Sequence, residues 1–83
     1  MKEKYLLIPE LVRSRTDGDL HFVDAGRLAW LYGVRREECL VMPPQRPENH
    51  RRRMDLLERV RLGDLVALCP RADGDYSLPR VRP

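Results

Sequence analysis

Residues 46–61, RPENHRRRMDLLERVR, hold six arginines (Arg46, Arg51, Arg52, Arg53, Arg59 and Arg61) against Glu48, Asp55 and Glu58. The surplus of three equals the formal net charge, +3, of the whole 83-residue chain. Each arginine offers a planar fork of N–H donors that matches carboxylate or phosphate. A local basic patch can steer an anionic partner without help from the rest of the surface. Arg51, Arg52 and Arg53 stand in a row with no acidic neighbour to neutralise them. The segment contains no Phe, Tyr or Trp on which a base could stack, which counts against single-strand binding. Elsewhere the arginines alternate with acids. Arginine outnumbers lysine fourteen to two along the whole chain, a bias that a GC-rich genome explains as well as nucleic-acid chemistry does.

Other chemistry-bearing residues are sparse. Cys39, Cys69, His21 and His50 have the stoichiometry of a zinc site, but lack the closely spaced Cys and His pairs that chelate the metal. Both cysteines fall in or beside apolar runs, where free thiols are expected as buried core residues. Asp17, Asp19, Asp73 and Asp75 flank glycines in turns and lack the acidic ligand that closes a calcium loop. No nucleophile elbow, phosphate-cradling glycine loop or paired-histidine metalloprotease motif is present. Ser14 and Ser77 have no histidine nearby in sequence, and His21 reads as a lone surface histidine. The expectation is a non-enzymatic protein with no metal and no cofactor.

These groups are positioned by short elements. Residues 4–13 are apolar and interrupted by Pro9, which removes a ladder donor and marks an edge strand or a strand broken in two. Asp17-Gly18 supplies a tight turn, and 21–23 returns as a strand, giving a β-hairpin over 5–23. Asp24 reads as an N-cap. Ala25, Leu28, Ala29 and Tyr32 then share one helical face that Leu31 widens, and Gly33 closes the helix. Trp30 falls off that face, so it is expected partly exposed and available to anchor a partner. Residues 39–42 form a continuous apolar run stopped by Pro43-Pro44, which suits a buried central strand. A second helix over 50–62 follows from Met54, Leu57 and Val60 at intervals of three, with Asn49 as cap and Gly63 as stop. Residues 65–69, a turn at Asp73-Gly74-Asp75 and residues 76–78 suggest a second hairpin, and 79–83 a loose tail.

The expected fold is a small α+β domain spanning 1–83, with two β-hairpins, a central strand and one or two short helices. No apolar run approaches the ~20 residues of a membrane span, and the N-terminal apolar stretch is too short for a signal peptide, so a cytoplasmic, reducing setting is expected.

Two resemblances bear on function. Leu28-Ala29-Trp30-Leu31-Tyr32-Gly33-Val34 resembles the first helix and turn of bacterial helix-turn-helix proteins. Arg35 and Arg36 would then open a recognition helix over part of 25–41. Pro43-Pro44 would cut that helix after about two turns, which favours a helix followed by a buried strand. Second, Leu28-Ala29-x-Leu31-Tyr32-Gly33-Val34 with Glu38-Cys39, and Pro70-Arg71-x-Asp73-Gly74-Asp75-Tyr76-x-Leu78-Pro79, together resemble small uncharacterised proteins of bacteriophages and mobile elements. That resemblance implies an origin and no activity; by analogy with small phage proteins as a class, the expectation is an accessory protein that binds and modulates a host macromolecule, a defence complex or host enzyme, by protein–protein contact. The expected partner-binding residues are Arg46, Arg51, Arg52, Arg53, Trp30, Arg35 and Arg36. The alternative is DNA or RNA binding through 46–61 or the truncated helix-turn-helix. The sequence leaves the oligomeric state open.

Overall fold

Leu6 and Leu7 are adjacent, and both are 0% exposed. Successive side chains of a strand point to opposite faces, so two such residues in a row need cover on both sides of a sheet. The computed structural model, which describes residues 3–13 and 18–71, provides it. Strand β1 (Tyr5–Leu7) is the centre of a three-stranded sheet, flanked by β4 (Cys39–Val41) and β5 (Val66–Leu68). Both pairings are parallel, with Leu6 opposite Leu40 on one side and Ala67 on the other. Parallel strands need crossovers, and these lay structure over each face. With the separate antiparallel ribbon described next, the molecule is a small α+β domain.

The first crossover carries β2 (Glu10–Arg13), β3 (Leu20–Val23) and helix α1 (Ala25–Tyr32). It covers the face bearing Tyr5 and Leu7, where Val23, Leu28, Ala29 and Leu68 complete a buried cluster. Asp24 caps α1 as expected, its Oδ1 accepting from the Arg27 N–H at 2.8 Å. Gly33 ends the helix at φ 69°, a left-handed conformation that glycine adopts without strain. The second crossover carries α2 (His50–Arg61), preceded by a single 3-10 turn at Pro47–Asn49. It covers the opposite face, where Leu56 meets Leu6, Met42 and Leu65.

All three parallel strands run into proline at the same rim. Pro9, Pro43 and Pro70 each lie two residues beyond the last paired residue of their strand, Leu7, Val41 and Leu68. Lacking an N–H, proline cannot extend a ladder, so the sheet stops there.

Several expectations are corrected. The hairpin does not span 5–23: Pro9 breaks the first strand in two, and only Glu10–Arg13 pairs with Leu20–Val23. Tyr5–Leu7, apolar on both faces, goes to the sheet centre instead. Residues 39–41 form a strand, but at the sheet edge, with Val41 exposed. Val66–Leu68 pairs in parallel with β1, and the turn and return strand expected at 73–78, like the tail at 79–83, lie outside the described residues. Leu31 is exposed rather than part of the α1 core face. His21 is half-buried and shares the inner side of the ribbon with Val12 and Val23. Cys39 and Cys69 are free but half-buried rather than fully enclosed. Cys39 opens β4 and Cys69 directly follows β5, with β1 between the two strands, so they stand two strand spacings or about 10 Å apart sideways. That exceeds the roughly 7 Å limit on the Cα separation of a disulfide.

Candidate partner-binding surface

The loop and helix carrying the basic segment are tied together by two side chains. Arg53 donates from its guanidinium to the Pro43 carbonyl at 2.6 Å, and Asn49 donates from Nδ2 to the Pro44 carbonyl at 2.9 Å. Prolines have acceptors and no donors, so side-chain N–H groups from α2 satisfy the carbonyls of this Pro-Pro bend. Asn49 is thereby used as a clamp and makes no side-chain cap on the helix. The 3-10 turn with proline at its first position supplies the helical lead-in.

The six arginines of the segment divide into two sets. Arg53 is half-buried and held by Pro43. Arg59 pairs with Asp64 at 2.7 Å, and Arg61 meets both oxygens of Glu58, at 2.9 and 2.5 Å. The fork-on-carboxylate contact holds Glu58 below the usual carboxylate range. The side chains of Arg46, Arg51 and Arg52 are exposed and make no hydrogen bond or ion pair among the described residues. Glu48 and Asp55 are also exposed there and likewise unpaired. The surface is therefore mixed in sign, with arginine in the majority.

Met54 and Leu57, whose spacing with Val60 marks the helix in the sequence, are 52% and 41% exposed. Leu56 and Val60 turn to the sheet with Arg53 half-buried beside them. Intervals of three drift around a helix with 3.6 residues per turn, and the i, i+4 pair Leu56 and Val60 stays on the buried stripe. Met54 thus stands one turn beyond Arg51 on the outer side of α2, and Leu57 one turn beyond Met54, while Arg52, two residues before Met54, lies on the opposite flank. A helical projection centred on Leu56 and Val60 would have shown Met54 and Leu57 outside.

The remaining expected residues lie elsewhere. Trp30 is half-buried on α1, which covers the other face of the sheet. Arg35 and Arg36 lie in the connection from α1 to β4. Arg35 pairs with Glu38 at 3.5 Å and Glu37 at 3.9 Å, and Arg36 opens a single 3-10 turn, Arg36–Glu38. The expected set of seven residues is therefore not one surface: Arg46, Arg51, Arg52 and Arg53 belong to the α2 side, with Arg53 occupied by the Pro43 carbonyl, and Trp30, Arg35 and Arg36 to the α1 side. The chain after Gly33 passes through that turn into β4, so 34–41 contains no recognition helix. The helix-then-strand reading holds.

A second exposed apolar face was not anticipated. On the β2–β3 ribbon, Leu11 faces Phe22 and Arg13 faces Leu20 across the strands. These four residues share one side, and Leu11, Leu20 and Phe22 are each more than half exposed. The alternation Leu20-His21-Phe22-Val23 carries the signal, but not which side is covered.

Among the described residues no group of three or more His, Cys, Asp or Glu converges to hold a metal ion. Nor is any helix among them long and apolar enough to cross a membrane. Desolvation pushes the Cys39 and Cys69 thiols above their ordinary range, opposed at Cys39 by the Arg36 charge. In comparison with known proteins, the chain matches no protein-family model, no curated protein and no solved structure.

Proposed function

We propose that this chain is a non-enzymatic accessory protein, of the phage and mobile-element kind its motifs resemble, that acts in a host cytoplasm by binding a host protein. The contact surface is the outer side of α2 with the loop before it. One observation carries the reading: exposed, unpaired Arg51 stands one turn from Met54, and Met54 and Leu57 expose large apolar side chains on the same outer side of α2. Arginine beside solvent-facing apolar side chains is the composition of protein–protein contact surfaces. The same surface suits nucleic acid poorly. Glu48, Asp55 and Glu58 stand among the arginines and would repel a phosphate backbone.

The test is charge reversal at Arg51 and Arg52, leaving Arg53 to its carbonyl. The tagged R51E/R52E protein, shown folded by circular dichroism, is compared with the unaltered chain in pull-downs from bacterial lysate, with and without nuclease. Loss of nuclease-resistant partners in the variant supports protein binding. Unchanged recovery from a folded variant overturns the reading. Partners that vanish with nuclease, and binding that weakens steeply with salt, would favour the nucleic-acid alternative.

A further inference from the structure

The parallel sheet has two outer edges, β4 and β5, and they differ. Beside β4, Met42 N–H donates to the Leu7 carbonyl at 2.8 Å, and Leu40 lies opposite Leu6. Alternate residues of a parallel strand bond the same neighbour, so Leu40 and Met42 turn their backbone groups to β1, and Cys39 and Val41 turn theirs away from it. Cys39 N–H is used by the 3-10 turn, donating to the Arg36 carbonyl. The Cys39 carbonyl and the N–H and carbonyl of Val41 have no partner among the described residues. On β5 the corresponding groups are taken at both ends. Leu65 N–H donates to the Arg59 carbonyl at 3.2 Å and the Tyr32 hydroxyl to the Cys69 carbonyl at 2.5 Å, which leaves Ala67 alone facing out.

The β4 edge is also apolar. Cys39 and Leu40 are half-buried, Val41 is exposed, and the strand carries no charged side chain of the kind that guards an open edge. The open run is short, because the 3-10 turn closes it before Cys39 and Pro43 has no N–H to extend it. A loose peptide laid there would gain at most three hydrogen bonds and lose about 1–2 kcal/mol of backbone entropy per residue ordered. A strand already fixed in a sheet avoids that loss. Strand β4 itself has the matching pattern. An N–H donor at Val41, two residues after a carbonyl acceptor at Cys39, is what a two-fold antiparallel bridge centred on Leu40 uses twice.

We infer that the occupant of this edge is β4 of a second copy of the chain, paired antiparallel about a two-fold axis at Leu40, so that two three-stranded sheets join into one of six strands. Val41 N–H of each copy donates to the Cys39 carbonyl of the other. Leu40 meets Leu40 on the side of the sheet that α2 covers, and Val41 meets Cys39 on the side that α1 covers. The axis stands perpendicular to the sheet, so both α2 helices lie over the same face. The pairing uses no residue of α2 and stands apart from the function proposed above.

Two hydrogen bonds and three side chains from each copy make a small interface, so self-association is measured at high protein concentration. Sedimentation equilibrium of the full chain should approach twice the 9.8 kDa chain mass as concentration rises. Val41→Lys places a charge on the open edge at an exposed position, so the variant is expected to fold, as circular dichroism checks, and to weaken the dimer about tenfold or more. Phe22→Ser on the ribbon should leave the dimer unchanged. Hydrogen exchange followed by NMR on the unaltered chain reads the bond itself. The Val41 amide faces solvent in a single chain and is bonded in the pair, so its exchange should slow about tenfold or more as concentration rises. The Met42 amide, bonded to Leu7, should be protected throughout. A chain that stays monomeric at its highest soluble concentration, a dimer indifferent to Val41→Lys, or Val41 exchange that does not respond to concentration would each overturn the inference. A dimer lost with Phe22→Ser would place the contact on the ribbon and overturn it too. If the lysine variant does not fold, the Val41 exchange decides alone.

Discussion

Leu6 and Phe22 are both large apolar strand residues, yet one is 0% and the other 62% exposed. Leu6→Ala removes side-chain atoms from the middle of a two-sided core and should cost about 2–5 kcal/mol. Phe22→Ala should shift stability by no more than about 0.5 kcal/mol, as surface substitutions do. Urea unfolding of the two variants checks the contrast; equal losses would mean that the ribbon's outer side is covered. The cysteines give a pH-dependent prediction. Both thiols titrate above their ordinary range because burial penalises the thiolate, and Cys39 also donates from Sγ to the Arg35 carbonyl at 3.2 Å. The folded state therefore holds these protons more tightly than the unfolded chain. The associated stability is fully present below the unfolded thiol pKa, about 8.5, and is lost as pH rises through the folded values. Native-state labelling by a thiol reagent near pH 8 should be several-fold slower than in denaturant and should rise at higher pH. Equal rates in both states would contradict the burial effect. Residue identity alone points to free thiols, but not to how deeply they are buried. An apolar run does not say whether its strand lies at the centre or the edge.

The element most legible in the sequence was α1. Its cap, its Leu28–Ala29 stripe and its Gly33 stop are all local chemistry, and all three are present. Gly33 gives a clean test, because a Cβ there would meet nothing within 4 Å while φ is +69°. Gly33→Ala should therefore destabilise through the backbone alone, by about 1–2 kcal/mol. Gly33→Asn should cost less, since asparagine tolerates that conformation. Thermal melts of both variants decide it, and an alanine variant as stable as the parent would show that the helix can end another way. Helix α2 was legible in existence and extent but not in facing. Met54, Leu57 and Val60 were as good a stripe on paper as Leu56 and Val60. The decision came from Leu6, Met42 and Leu65, far away in sequence. The candidate surface inherits that difficulty. Its arginines were visible as a charge surplus, but Arg53's use on Pro43 and the outward position of Met54 and Leu57 depend on which side of α2 meets the sheet.

At the scale of the molecule, β1 is the hub. Met42 N–H donates to the Leu7 carbonyl at 2.8 Å, Ile8 N–H to Leu68 at 3.0 Å and Val66 N–H to Lys4 at 2.9 Å. These amides join three distant parts of the chain, so they should exchange with deuterium only on global unfolding. Among the described residues the β2–β3 ribbon pairs only with itself, and its ladder amides should open locally and exchange faster. Hydrogen exchange followed by NMR tests this; equal protection of the two sets would make the ribbon part of one cooperative unit with the sheet. The sequence by itself determined the features that local chemistry decides. These are strand breaks at proline, the capped helix, the extent of the basic helix and the position of the charge surplus. Tertiary structure alone decided that Tyr5–Leu7 leaves its neighbouring strand for the centre of a parallel sheet. It also decided which side of α2 is dry, which arginines are occupied, and that Trp30 and Arg51 serve opposite layers. The reason is physical. Parallel pairing and burial on both faces are satisfied by residues some thirty to sixty positions apart, and no local periodicity records which distant partner closes the core.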